Sequence, residues 1–405
     1  MEGPTPWWHV DGLGSGPAGL TLGGVPVAES AAMHGTPLYL YDPATVRRQV
    51  AALRAALSST GLEWRIHYAM KANRFGPILD AIRAAGDVGI DACSPREVEL
   101  ARAHAFAERE ISVTASMLAD RDLDAFVAAG VHVNLDSLSA IRRYAQRAPR
   151  GTRCGLRIDP DVQVGYGDDA KVAYGRSKFG LLPASVADAA ALARQLGLVI
   201  DTLHVHCGWG LQSGALPAVR HVFAGLAELA GRMPSVETIN VGGGLGARRR
   251  AVDEPLPLAG WAEAIRETLG PLGRRVACEP GTLLVDRAGV LLVQVNTVEE
   301  KDGTTWLGVD AGHNVNVYAA HYGLPVEIVH VARPVAPPEY VYSVAGNINE
   351  SNDVFACGIA LPRVAEGDLL AFLPAGAYGS SMASDHCLRG FAKEVAIDAA
   401  LDRRR

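Results

Sequence analysis

Trp64-Arg65-Ile66-His67-Tyr68-Ala69-Met70-Lys71-Ala72-Asn73 is the stretch on which the fold turns. Its aromatic and β-branched run, Trp64–Ala69, reads as a strand that exits at a lysine. The segment Ile78–Ala85 that follows repeats apolar residues at three and four, as an amphipathic helix does. Outward from this unit the alternation returns. Further strands are predicted at Val88–Asp91, Glu110–Thr114, Val131–Leu135, Cys154–Ile158, Thr202–His206, Glu237–Val241 and Arg275–Glu279. Helices are predicted at Ser137–Ala148, Ser185–Leu196, Ala215–Gly231 and Ala259–Leu269, with Ser94 (ahead of Pro95 and Glu97), Ser137 and Ser185 as caps. Eight strand–helix repeats predict an α/β chain built on a (β/α)8 TIM-type barrel.

Such barrels carry their active sites at the C-terminal strand ends. Here those ends hold Lys71, Asp91, Asp136, Arg157, His206, Gly242-Gly243-Gly244 and Glu279, while the strand interiors are mostly apolar. That pattern predicts an enzyme. After Glu279 the helical period fades. Val290–Val298, Thr305–Val309, Pro325–Val331, Val341–Val344 and Leu369–Leu373 read as strands between Gly, Pro and Asn turns. The expected domains are a barrel over 37–282 and a β-rich domain over 283–405 that also takes in 1–36, a segment expected to hold only short strands. Gly14-x-Gly16-x-x-Gly19 spells a dinucleotide fingerprint, but Gly23, Gly24 and Pro26 follow where a helix should start, so a loop is expected.

Composition narrows the function. With 405 residues, 49% hydrophobic and 20% charged, the chain is an ordinary globular one with room for two domains. A net charge of -6 argues against nucleic acid, and the runs Arg248–Arg250 and Arg403–Arg405 are read as solvated loop and tail. No apolar run is long enough for a membrane span, and residues 1–10 show no secretory pattern. Six scattered cysteines, none in C-x-x-C, fit reduced thiols and a cytoplasmic location. No metal set is assigned.

Pyridoxal 5'-phosphate asks a protein for a lysine, a partner for its pyridine nitrogen, a phosphate cradle and a group against its ring. Lys71 can form the Schiff base if a dry barrel mouth lowers its pKa. Glu279 can hold the pyridine nitrogen protonated. Gly242, Gly243 and Gly244 let backbone N–H groups approach a phosphate. His206 can stack on the ring. Each taken alone also has an ordinary reading: solvated lysine, capping glutamate, plain loop, core histidine.

The chain resembles the diaminopimelate/ornithine decarboxylase family, the fold-type III pyridoxal-phosphate enzymes, over nearly its whole length. The matching motifs are Tyr68–Asn73, Asp91-Ala92-Cys93-Ser94, Ser177-Lys178-Phe179-Gly180, the glycine run, Glu279-Pro280-Gly281, Glu350-Ser351-Asn352-Asp353 and Gly376-Ala377-Tyr378-Gly379. The resemblance implies an amino-acid decarboxylase with Lys71, Asp91, Arg157, His206, the glycine run, Glu279, Gly281 and Tyr378 around the cofactor. It also implies a head-to-tail homodimer with shared sites, in which Glu350, Asp353 and Tyr378 meet the partner's barrel. Tyr378 would then touch phosphate and Glu350 the distal end of the substrate.

Departures from the pattern fall at substrate positions. Thr282 follows Glu-Pro-Gly where the family has Arg, Tyr318 stands where diaminopimelate decarboxylases place another carboxylate-binding Arg, and Tyr322 matches their nearby Tyr. Trp209 replaces a small phosphate-contacting Ser. Asn349 replaces a Cys that can donate a proton, which an amide cannot usefully do. Arg220 or Arg248 could restore the lost charge in space. The expected substrate is therefore a bulkier or conjugated amino acid, such as a siderophore precursor or an aminoacyl group on a carrier protein. Alternatives are meso-diaminopimelate decarboxylation, racemisation on the same barrel, and a non-catalytic regulatory relative.

Overall fold

The computed structural model describes residues 5–10, 12–162, 164–166 and 177–397; the Arg403–Arg405 cluster lies outside them. Three short strands open the chain, β1 (Leu13–Gly16), β2 (Gly19–Leu22) and β3 (Val25–Pro26), paired antiparallel in that order. The fingerprint glycines thus form a hairpin in which Gly16 pairs with Gly19. Gly19 has a φ of 95°, and a Cβ there would stand 2.3 Å from the Val331 carbonyl oxygen, so this glycine serves close packing. A helix, α1 (Val27–His34), then corrects the expectation of strands alone: Pro26 takes the N-cap, where a missing N–H is harmless. It leads to β4 (Leu38–Tyr41) and to α2 (Pro43–Ser58), capped by the Asp42 carboxylate, which accepts from the N–H groups of Ala44 and Thr45.

The barrel strands are β5 (Trp64–Ala69), β6 (Val88–Ala92), β7 (Ile111–Thr114), β8 (His132–Leu135) and β9 (Arg153–Ile158). After a rim strand, β10 (Val164–Gly165), the barrel resumes with β11 (Val199–Val205). A second rim strand, β12 (Gly208–Trp209), pairs with β10, and β13 (Thr238–Asn240) and β14 (Arg275–Cys278) complete the ring. All eight run parallel, and β14 closes on β5 by pairing Cys278 with Ile66. β11 starts at Val199, ahead of the expected Thr202, because a bulge between Ile200 and Thr202 lets its pairing with β9 continue. Ser94 and Ser137 cap their helices by accepting the N–H groups of Glu97 and Ala140. Ser185 does not. A 3-10 turn over Pro183–Ser185 runs into the helix Val186–Gln195, so Ser185 is already in helical conformation and its side chain makes no capping bond.

The second sheet contains β15 (Gly289–Lys301), β16 (Thr304–Val309), β17 (Glu327–His330), β18 (Tyr340–Ala345), β19 (Val354–Leu361) and β20 (Leu369–Leu373), ordered β17-β20-β15-β16-β18-β19. β4 joins β15 on one side and β21 (Lys393–Ala396) on the other. Period-two alternation sorts its faces. Leu38, Leu40, Val290 and Leu292 pack with Trp8, Leu20 and Leu22, whereas Tyr39, Tyr41, Leu291 and Val293 face the main core. The N-terminal segment is therefore the cover of one sheet face. All six cysteines are free thiols. Among the described residues no helix is long and apolar enough to cross a membrane.

Candidate active site

Lys71 leaves β5 in a one-turn 3-10 helix, Met70–Ala72. The β-domain brackets that turn: Tyr378 N–H donates to Ala72 O at 2.6 Å, Ser381 Oγ donates to Lys71 O at 2.8 Å, and Asn73 Nδ2 donates to Gly376 O at 2.8 Å. With its main chain fixed, Lys71 projects half-exposed into the barrel mouth. Its Nζ lies 3.7 Å from Cys93 Sγ and 3.6 Å from the Asp91 carboxylate. The sequence reading expected a lowered lysine pKa. The structure reverses the sign: the Cys93 sulfur and, opposing the burial, the Asp91 charge hold the ammonium well above its usual range.

Glu279 ends β14 and is fully supplied with donors. Thr114 Oγ1 (3.0 Å) and Asn240 Nδ2 (2.8 Å) reach Oε1, and His204 Nε2 (2.8 Å) reaches Oε2. Burial pushes this carboxyl up, but His204 and Lys71 outweigh it and hold it below the usual carboxylate range. Asp91 is the opposite case. Burial, then the Glu279 charge, raises its pKa well above normal, and neither carboxylate oxygen accepts a hydrogen bond. One buried acid is solvated by the protein and the other is not.

His206 lies past the end of β11 on the cavity wall. Gly243 N–H donates to its Nδ1 at 3.1 Å, so the ring carries its proton on Nε2, and burial with Arg157 and Lys71 nearby keeps it neutral. Gly242 N–H is likewise used, by Asn240 Oδ1 at 2.9 Å. Two of the three glycine N–H groups expected to face a phosphate are therefore spent on the frame, and Gly244 with Leu245 lines the cavity. A Cβ on Gly243 would stand 2.3 Å from Glu279 O, which explains the glycine. Arg157 lines the same cavity, its guanidinium 4.3 Å from the Phe179 ring centroid.

The cavity measures about 410 Å³. It is lined by Lys71, Arg157, His204, His206, Gly244 and Glu279 together with Gly281, Thr282, Trp209, Tyr318, Tyr322 and Tyr378; Asp91, Gly242 and Gly243, expected to bind the cofactor, stand behind this wall. Tyr378, expected to touch the phosphate at a junction with a partner's barrel, lines its own chain's cavity at a left-handed φ of 62°. Its loop is forced there, since a Cβ on Gly376 would stand 1.8 Å from Val285 O and one on Gly379 2.3 Å from the Tyr39 hydroxyl. Arg220 and Arg248 do not reach this wall: Arg220 pairs with Glu267 and Arg248 donates to Asp253 O.

Three predicted residues are elsewhere. Asp353 was expected to bind substrate, but its buried carboxylate clamps its own loops, accepting the N–H groups of His313 (2.8 Å) and Ile348 (2.9 Å). Asn349 is exposed, and exposed Glu350 bonds His386 Nε2 at 2.9 Å; neither lines the cavity. Conversely, the sequence reading assigned no role to Thr114, His204 and Asn240. Their signal was present: each is a polar residue near the exit of an otherwise apolar barrel strand.

The residues present fit pyridoxal phosphate. Lys71 offers the amine and Glu279 an ionised carboxylate. The buried Asp91 oxygens beside Lys71 accept no hydrogen bond among the described residues, and Gly244 and Gly281 leave the cavity wall free of side chains where a phosphate could approach.

Comparisons agree. Residues 43–286 match the pyridoxal-binding domain of pyridoxal-dependent decarboxylases. The diaminopimelate decarboxylase of Methanothermobacter thermautotrophicus is 34% identical, covering 93% of this chain and 90% of that protein. That of Streptomyces coelicolor is 33% identical, covering 94% and 89%. The crystal structure of diaminopimelate decarboxylase from M. jannaschii in complex with L-lysine superposes with a TM-score of 0.87 at 27% identity, covering 96% of this chain and 93% of that one. These findings overturn the expected conjugated or carrier-bound substrate: relatives similar over the whole chain are diaminopimelate decarboxylases, despite Thr282 and Tyr318. The protein is an amino-acid decarboxylase that uses pyridoxal phosphate. The chain belongs to the pyridoxal-dependent decarboxylase family.

Proposed function

We propose that the protein removes one α-carboxylate of meso-diaminopimelate, releasing CO2 and lysine. The observation that carries this reading is the match along more than nine-tenths of the chain to enzymes of that name, joined to a cavity that gathers Lys71, Glu279 and His206. Bound pyridoxal phosphate supplies an electron sink for the pair left at Cα when the carboxylate departs. The chain's residues do the rest. Glu279, kept ionised by three donors, would hold a proton on the cofactor's ring nitrogen. Neutral His206, fixed by Gly243, would pack against the cofactor ring. Gly244, Gly281 and Tyr378 bound the phosphate end, and Asp91 with Arg157 tunes the charge around Lys71.

Lys71 would hold the cofactor, and its Nζ is the amine placed to return a proton to the substrate's Cα; Asn349, an amide outside the cavity, cannot supply it. Thr282 and Tyr322 contact the distal end of the substrate. Glu350 and Asn349 face away from their own cavity, so a second copy of the chain in a homodimer is their route to a site. The deciding experiment is CO2 release and kcat/KM for meso-diaminopimelate beside lysine and ornithine. A clear preference for meso-diaminopimelate supports the reading, and its absence refutes it.

A further inference from the structure

Tyr318 combines three features at the far wall of the cavity. It stands where the family resemblance places an arginine, it is 3% exposed, and, although the Trp209 N–H lies near its oxygen as a donor, its hydroxyl hydrogen has no acceptor among the described residues. Its ring is held by Tyr378, Tyr322 and Trp209 at centroid distances of 4.8, 5.6 and 5.7 Å. A fourth neighbour carries charge. The Arg249 guanidinium lies 5.2 Å from the Tyr318 ring centroid. Arg249 cannot turn away, because its Nη2 donates to buried Asp286 at 2.8 Å and its backbone N–H donates to Asp253 at 2.9 Å. Asp286 is fixed in turn by the Ala377 N–H at 3.3 Å, next to Tyr378.

A cation against an aromatic face draws ring density toward itself and leaves the phenol hydrogen a better donor. Burial, partly offset by Arg249, keeps that phenol protonated at any physiological pH. A buried hydroxyl hydrogen without an acceptor is costly, and the cavity that Tyr318 lines is where one can bind. We propose that Tyr318, backed by the Asp286-anchored Arg249, selects an anionic oxygen of the ligand by hydrogen bonding, in place of a direct arginine. The source of that oxygen is the substrate's distal carboxylate, which rests on the diaminopimelate reading, or the cofactor's phosphate. Tyr318 touches the ligand, and Arg249 is a positioning residue that acts through it.

Tyr318→Phe removes the hydroxyl alone and separates the two sources. If the acceptor is the carboxylate, KM for meso-diaminopimelate rises about tenfold or more with kcat within about twofold, and the calorimetric affinity for the product L-lysine, which keeps that distal carboxylate, falls as well, while that for cadaverine, which lacks it, is unchanged. If it is the phosphate, titration of the cofactor-free protein with pyridoxal phosphate shows at least about tenfold weaker binding instead. Arg249→Lys, which keeps charge but not the planar face, gives a smaller change in the same quantity. Arg249→Met strands Asp286 and can unfold the chain, so the Arg249→Met/Asp286→Asn pair, checked by circular dichroism, should reproduce the Tyr318→Phe shift. Unchanged KM and unchanged cofactor affinity in Tyr318→Phe would overturn the proposal. If the wild-type enzyme ignores meso-diaminopimelate, the substrate reading fails by itself, and the cofactor titration still decides the role of Tyr318.

Discussion

Lys71 Nζ stands 3.6 Å from the carboxylate of Asp91, and both oxygens of that carboxylate are buried without a hydrogen bond among the described residues. The amine is thus the nearest counter-charge of an acid that burial would otherwise neutralise. Lys71→Ala should abolish turnover and the borohydride-reducible link to the cofactor, and should leave Asp91 protonated. Mass spectrometry of the reduced wild-type protein checks the assignment: label on any lysine but Lys71 refutes it.

Glu279→Gln keeps the shape but removes the charge, and its amide hydrogens meet the donors of Asn240, Thr114 or His204. A loss of roughly 10²–10³-fold in kcat is expected, the size typical of removing one preorganised electrostatic partner. Cofactor absorbance should persist. A variant within threefold of wild type would mean that Glu279 does not face the ring nitrogen.

Acid should destabilise the fold through buried histidines. Burial lowers the pKa of His67 from 6.5 to about 4, and those of His204 and His206 also fall. A group whose folded pKa is depressed contributes stability above its unfolded pKa and loses it as pH falls toward the folded value. Stability should therefore drop from pH 6.5 toward 4 by up to about 1.4 kcal/mol per pH unit through His67, with His204 and His206 adding in the same direction. His67→Gln should flatten the slope of urea stability against pH; parallel curves for variant and wild type would contradict this.

The exposed pair Glu350 and His386, 2.9 Å apart and outside their own cavity, motivates a complementation experiment. Lys71→Ala and Glu350→Ala are each expected to be inactive. Mixed in equal amounts, they should recover about a quarter of wild-type activity, because half the dimers are hybrids with one intact site. Persistent inactivity despite proven subunit exchange would show that Glu350 serves no neighbouring site.

The barrel was legible because each strand carries its own signal: a short apolar run with a polar exit, repeated eight times. That Lys71, His206 and Glu279 would meet at one barrel mouth was legible for the same reason. Asp353 was not, because a motif records a residue type and cannot say whether a carboxylate faces a ligand or, as here, the N–H groups of His313 and Ile348. The sign of the Lys71 shift was hidden too. It depends on Cys93 and Asp91, which lie a whole helix away in sequence and one strand away in space. β19 escaped notice because Gly358, with a φ of 66°, interrupts its pattern, and α1 because Pro26 looks like a breaker when it is a start.

The hydrogen bonds from Tyr378 and Ser381 onto the main chain of Ala72 and Lys71 bear on modular engineering. A (β/α)8 barrel is commonly treated as a portable catalytic cassette whose loops alone decide chemistry. In this chain the reactive lysine's peptide is gripped from outside the barrel, by a loop whose glycines fit only against Tyr39 and Val285. Transplanting residues 43–286 into another protein would carry over the side chains of the site while removing the hand that aims one of them. Swaps among relatives should succeed only when the 376–382 loop travels with the barrel as a single heritable unit.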